Sequence, residues 1–463
     1  MALEPSLPDA IRDPRNGDNR DFTFISLTGK TDSPIRMMHM SFVKYRYLIF
    51  AILGAAYMLV FFHRLAPAIV AVDMMRDLKT GGALMGVLSS AYFYSYALMQ
   101  IPAGLLSDSW GPRRSITFFF IFAAVGSIVL GFAQTVGMAI AARVLVGLGV
   151  AMVFVPTLKI LTNWFESEKF VRMSGLLLSL GGVGAYTAAT PLALLSDSIG
   201  WRGSMIFIGV VTLAVTAGVW LLVKDTPQEA GFQPLNGSVK STKPPDRIGM
   251  LTGLVMVIKM SWFWPLALCS FLGAGVSLSF VGLWGGPFLM HVYGLPRTQA
   301  GAVLSMFAIG LIIGAPTMSW LSDRVLHSRK KVIVLGQILA LFVFIPLAFF
   351  TGNFSKGALY IWFFTYSFVL SGMAAVGYSA VKELFPQQIS GTATGLMNIF
   401  PFAGAALGQP LIGWYLDSFG SVDGRYSADA YSAVFKICLI VIIGALVAST
   451  LVKETYSKES SIL

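Results

Sequence analysis

Charge is scarce in this 463-residue chain: Asp, Glu, Lys and Arg make up 12% of it, where a soluble domain carries about 25%. With 56% hydrophobic residues, that scarcity excludes an ordinary soluble domain. Cysteine is nearly missing. Cys269 and Cys438 each lie inside an apolar run, which excludes a disulfide framework and makes both small buried hydrophobes. Four histidines with no ligand spacing give no metal site, and no cofactor is expected. There is no G-x-x-x-x-G-K-S/T loop to hold a nucleotide. Nor is there a nucleophile–base constellation, so an enzyme is not expected.

What the chain does have is apolar runs of roughly 20 residues, the length that crosses a bilayer core of about 30 Å. Twelve are read, near 46–73, 83–106, 115–133, 137–161, 173–195, 203–223, 264–289, 298–321, 332–351, 357–381, 390–415 and 432–452. Helices follow because an open sheet edge cannot face lipid. Abundant Gly (47 residues) suits helices that meet in lipid. The first run starts near Tyr47, so no signal peptide of the usual layout is expected. Residues 1–44 read as a disordered tail, 45–225 as one six-helix half, 226–254 as a polar, Pro-rich linker, 255–455 as the second half and 456–463 as a tail.

The net charge of +11 does not point to nucleic acid, because the basic residues cluster in short loops. Arg113, Arg114, Arg329, Lys330 and Lys331 fall on the side of the N-terminus. The opposite loops hold only Arg76, Lys79, Arg202, Arg297, Lys356 and Arg425. The bias puts both termini in the cytoplasm of a multi-pass plasma (inner) membrane protein. The halves also repeat each other. Asn163-Trp-Phe matches Glu383-Leu-Phe, Ser174-Gly-Leu matches Thr394-Gly-Leu, and Asp197-Ser-Ile-Gly matches Asp417-Ser-Phe-Gly, each pair 220 residues apart. The expected fold is therefore an all-α membrane protein, with twelve transmembrane helices in two six-helix halves related by pseudo-two-fold symmetry. Such duplication marks a transporter whose site lies between the repeats.

At these residues the chain resembles the major facilitator superfamily. Its signature G-x-L-x-D-x-x-G-x-R-R is complete as Gly104, Leu106, Asp108, Gly111, Arg113 and Arg114. A degraded second copy runs Ser319 to Lys331 and keeps Asp323 and Arg324, and R-x-x-x-G-x-G appears as Arg143, Gly147 and Gly149. The resemblance implies the major facilitator fold and a loop that latches the halves on the cytoplasmic side. It gives gating roles to Gly104, Asp108, Gly111, Arg113, Arg114, Asp323 and Arg324. Within the superfamily the chain is similar to the organophosphate and organic-anion permeases, at Arg46–Arg64, Val155–Phe165 and Lys224–Phe232. Phosphate-ester antiporters of that branch use a second arginine in helix seven. Ala274–Leu289 has none, which favours a singly charged or smaller anion. The helix-five antiporter signature is also missing from Gly175–Leu195, and no acid lies in the middle of any span, so multidrug export is a weak alternative.

The sharpest anomaly is Arg64, in Tyr-Met-Leu-Val-Phe-Phe-His-Arg-Leu from Tyr57 to Leu65. It lies about 27 Å along its helix from Arg46, too deep to snorkel easily. An unpaired buried charge is costly. An anionic ligand or a wet cavity is therefore its natural partner, and its fork fits carboxylate or phosphate. Lys159 and Arg143 are candidates for added positive potential, Tyr92, Tyr96, Ser277 and Trp284 for pocket contacts, and His63 for proton coupling. The expected function is secondary active transport of a small organic anion by alternating access, with proton cotransport or anion exchange supplying energy. The partners are that anion, the bilayer and, under cotransport, the proton; a monomer is expected. The alternatives are a carrier of neutral sugars or peptides with Arg64 as a gate, and a ligand sensor that keeps the fold without moving its ligand.

Overall fold

Short polar side chains and prolines mark several of the helix starts. In the computed structural model, which describes residues 41–233 and 250–456, sixteen α-helices build the chain. The first half holds α1 (Phe42–Leu65), α2 (Pro67–Asp77), α3 (Gly82–Ser109), α4 (Pro112–Gly131), α5 (Val136–Ala151), α6 (Phe154–Trp164), α7 (Ser167–Thr187) and α8 (Thr190–Leu222). The second holds α9 (Met250–Lys259), α10 (Phe263–Ser279), α11 (Gly285–Val292), α12 (Arg297–Trp320), α13 (Arg329–Phe349), α14 (Lys356–Leu384), α15 (Gln387–Ser418) and α16 (Ala428–Thr450). Side-chain oxygens of Thr135, Ser328, Ser355 and Ser427 cap α5, α13, α14 and α16, accepting from backbone N–H groups three residues on. Pro67 and Pro112 open α2 and α4, as proline's fixed φ favours at a first helical position.

Among the described residues, ten stretches are long and apolar enough to cross a membrane. One of them, Arg172–Leu222, has 51 residues and turns back at Gly200, where φ is 72°. It therefore makes two crossings. The 28-residue α3 is long enough for one more, although less apolar. Twelve crossings result, as the sequence predicts. Five of them are broken: α1/α2 at Ala66, α5/α6 at Met152–Val153, α7/α8 at Ala188–Ala189, α10/α11 by a wide helical turn over Phe280–Trp284, and α12 by another over Leu321–Leu326.

The predicted tail 1–44 and linker 226–254 fall mostly outside the described residues, as does nearly all of the tail 456–463. Where described, the linker is structured at both ends, by a short turn at Gln228–Ala230 and by α9 from Met250.

We call the side where the described chain begins and ends the terminal face, and the other the far face. The two halves lock together at the far face. The Asp417 carboxylate, in the last turn of α15, accepts from the backbone N–H groups of Gly82 and Ala83 at 2.8 Å each. It thus caps the start of α3 across the halves, and the Tyr426 hydroxyl donates to it as well. Arg297, at the start of α12, pairs with Asp73 of α2 and Asp197 of α8. The packing there is close. A Cβ on Gly86 would lie 2.5 Å from the Gln409 carbonyl oxygen, so only glycine lets α3 and α15 approach this far. Toward the terminal face, a Cβ on Gly104 of α3 would meet nothing within 4 Å. The halves are joined at the far face.

Candidate functional site

Arg64 stands in the last turn of α1, 7% exposed. Its guanidinium carbon lies 4.5 Å from the ring centre of Phe61, 5.2 Å from that of Tyr96 and 4.8 Å from that of Phe402. Phe402 belongs to α15, so rings from both halves surround the charge. Each such contact is worth roughly 0.5–2 kcal/mol. The Tyr92 side chain lies alongside. Among the described residues, no carboxylate pairs with Arg64. The acids in ion pairs bind Arg76, Lys169, Arg202, Arg297 and Arg329 instead. Its Nε has no hydrogen-bond partner.

A chain of neutral polar groups runs one helical turn away. The Tyr378 hydroxyl donates to Asn398 Oδ1 at 2.6 Å, and Asn398 Nδ2 donates to Gln100 Oε1 at 3.0 Å. Asn398 precedes Phe402 by four residues on α15, and Gln100 follows Tyr96 by four on α3, so each pair shares a helix face. The amide bridge joins the halves beside the guanidinium. Sequence reading missed all three residues. Their signal was faint: Gln100 is one amide in an apolar span, Asn398 shares its span with Gln409, and Tyr378 shares its span with Tyr360 and Tyr366.

Arg143 does not join that surface. Its Nη1 donates to the His63 carbonyl at 2.8 Å, and its guanidinium carbon lies 4.8 Å from the Tyr92 ring centre. Tyr92 is flanked by Arg64 and Arg143. The expectation of a second cavity charge at Arg143 is therefore corrected: a backbone carbonyl holds it inside the first half. His63 turns toward α8, where its Nε2 lies 3.1 Å from Thr212 Oγ1. Because the Thr212 hydroxyl donates to the Ile208 carbonyl, the imidazole Nε2–H is the donor in that pair.

Other predicted contacts lie elsewhere. Lys159 Nζ donates to the Ser107 carbonyl at 2.9 Å, tying α6 to the last turn of α3. Trp284 is fully buried toward the far face, with its Nε1–H on the Gln409 carbonyl and its ring against Tyr426. It supports the closure rather than the pocket. Ser277 is buried beside Tyr366 within the second half. Of the predicted pocket residues, the structure brings Tyr92 and Tyr96 to Arg64.

The signature loop has its own geometry. Gly111 has φ 92°, a left-handed conformation that opens the turn into α4. The Asp225 carboxylate accepts from the Arg113 backbone N–H at 2.7 Å, and the Arg113 side chain donates to the Trp220 carbonyl. Arg114 is exposed, and Asp108 lies in the last turn of α3, its side chain outside the described set. The second half repeats the device. The Glu454 carboxylate accepts from the Arg329 backbone N–H at 2.9 Å and from the Ser328 hydroxyl. Arg329 also binds Glu383 and Asp323, while Arg324 is exposed. Each half thus ends in a carboxylate that caps the start of its own third span. A repeat carried the signal, Val223-Lys-Asp-Thr and Val452-Lys-Glu-Thr, and was overlooked. Burial pushes the Asp225 carboxyl up despite the Arg113 N–H. At Glu454 burial pushes upward too, but the donors Ser328, Tyr456, Arg329 and Thr455 outweigh it and hold the carboxyl low.

Two halves, twelve crossings and a complete signature loop agree with one family model, that of the Major Facilitator Superfamily, which matches residues 47–296 and 266–462. The chain belongs to the major facilitator superfamily. This major facilitator protein is 24% identical to a probable galactarate/D-glucarate transporter of Escherichia coli over 426 residues, 86% of this chain and 95% of that one. It is 23% identical to a probable hexose phosphate transport protein of Chlamydia pneumoniae, covering 81% and 87%. It is also 23% identical to a probable sulfoacetate transporter of Cupriavidus necator, covering 82% and 90%. These relatives are organophosphate and organic-anion permeases, so that resemblance holds as well. They are carriers, not enzymes. Among solved structures, a bacterial homologue of the human lysosomal transporter Spinster, described as inward-facing and unoccupied, superposes with a TM-score of 0.71 at 18% identity. It covers 88% of this chain and 97% of that one. A nucleoside transporter superposes with a TM-score of 0.71 at 14% identity, covering 88% and 100%. The protein is a multi-pass membrane transporter.

Proposed function

We propose that this major facilitator protein moves a small organic anion, and that Arg64 binds its charged group. One observation carries the reading: a buried guanidinium, without a carboxylate partner among the described residues, sits where ring faces from both halves meet. A charge left so in low dielectric gains most from a visiting anion. The bridge of Tyr378, Asn398 and Gln100 offers donors and acceptors to hydroxyl groups on the same molecule. The names of the relatives, which carry sugar diacids, sugar phosphates and a sulfonate, support an anionic cargo.

In this reading residues 45–225 rock against 255–455. The Lys and Arg bias puts the terminal face in the cytoplasm, so the lock of Asp417 and Arg297 closes the outer side. Anion exchange or proton cotransport drives the cycle. Every residue invoked lies in one chain, which suits a monomer. The test is a competition panel in proteoliposomes, with D-glucarate, glucose 6-phosphate and sulfoacetate set against glucose and a neutral dipeptide. Anions should compete at least tenfold better. Equal or better competition by the neutral solutes would favour the neutral-solute carrier, with Arg64 as a gate. Specific binding without flux would favour a sensor.

A further inference from the structure

The break between α1 and α2 leaves a bond unmade. Pro67 has no backbone N–H, so the carbonyl four residues earlier, that of His63, loses its helical donor. Inside an apolar helix bundle an orphaned carbonyl is costly. Arg143 of α5 supplies the missing donor, its Nη1 lying 2.8 Å from that oxygen. The match is one of position: the carbonyl that Pro67 frees is the one that Arg143 reaches. Arg143 is 2% exposed, and its Nε and Nη2 have no hydrogen-bond partner. Arg143 also borders a cavity of about 10 Å³, lined in part by His63, Pro67, Ser127 and Met205 and large enough for about one water. From the other side, Thr212 of α8 holds the His63 ring. The residue that follows His63 is Arg64.

We propose that Arg143 is a positioning residue. It replaces the backbone donor that Pro67 removes, fixes the bend at the end of α1, and so aims Arg64 between α3 and α15. An arginine suits this task because its fork is planar and always charged. Its distance from the anion, behind Tyr92, is then a requirement of the design. The proposal rests on the reading of Arg64 as the anion-binding group, yet its structural half stands apart from that reading.

The test is a rescue. Arg143→Gln, Pro67→Ala and the double variant are purified, and hydrogen–deuterium exchange is followed in the peptide covering residues 60–70. Uptake of D-glucarate, glucose 6-phosphate and sulfoacetate is measured in proteoliposomes. Arg143→Gln should speed exchange in that peptide by about tenfold and raise the apparent KM more than it lowers the maximal rate. Alanine at position 67 restores an N–H to the His63 carbonyl. The double variant should therefore return both readouts to within about threefold of the parent. A residue that acts only through its charge would gain nothing from Pro67→Ala. Unchanged exchange in Arg143→Gln, or a double variant as impaired as the single, overturns the proposal. If Arg143→Gln does not accumulate, the recovery of folded protein by adding Pro67→Ala makes the same comparison. If no anion is carried by the parent protein, the anion reading fails, and the exchange data alone decide the positioning role.

Discussion

Arg64 was legible because charge is so rare in these spans that one arginine, flanked by apolar residues and far from either end of its run, demands a partner. The structure sharpens that reading by giving it ring faces in place of an acid. Its neighbours were less legible. Tyr92 and Tyr96 could be placed on one face from their spacing, but Tyr378, Asn398 and Gln100 become a bridge only when two distant helices meet. Arg143 looked like a second cavity charge because sequence spacing does not reveal that a proline four residues beyond His63 has freed a carbonyl. At this scale the bridge gives a prediction. Asn398→Leu should leave Gln100 Oε1 and the Tyr378 hydroxyl unpaired, and weaken transport of a hydroxylated anion by about tenfold. A small anion without hydroxyls should lose far less. Competition between D-glucarate and sulfoacetate in that variant measures the difference, and equal losses would remove the bridge from the site.

Among the elements, the spans were readable because bilayer thickness fixes their length. Their breaks were not, since the wide turn at Phe280–Trp284 shows no proline within it and no polar residue. The duplication was visible as an offset of 220 residues, and Asp417 lies in one of those matched pairs. Its partners, two backbone N–H groups at the start of α3, carry no side-chain signature at all. A carboxylate at a helix start is worth roughly 0.3–2 kcal/mol. Asp417→Asn should therefore weaken the far-face lock and raise the far-face-open population by a few-fold or more. Spin labels at Lys79 and Ser421, on the two loops beside the contact, measure it: a longer distance should gain weight in the variant. An unchanged distribution would leave Asp417 without a gating role.

Across the whole molecule, the paired caps at Asp225 and Glu454 make each half hold its own third span. Their titration should differ in sign. Glu454 is held below the ordinary carboxylate value, so its stabilisation is complete above about 4.3 and is lost as pH falls through its depressed native value. Asp225 is held above the ordinary value by burial, so its ionised form costs stability at neutral pH. Thermal unfolding at pH 7 should show Glu454→Gln melting below the parent and Asp225→Asn holding level or rising. The Glu454 gap should close at acid pH, and a gap constant with pH would contradict the account. The proposed reading joins the far-face lock and the guanidinium between the halves in one anion carrier. The most direct measurement is uptake of labelled D-glucarate, glucose 6-phosphate and sulfoacetate by proteoliposomes bearing the parent protein, Arg64→Lys or Arg64→Ala. The account predicts that Arg64→Ala loses about 10- to 100-fold, the worth of one charge-assisted bond, with Arg64→Lys between the two. Anion uptake at the parent rate in both variants would contradict it.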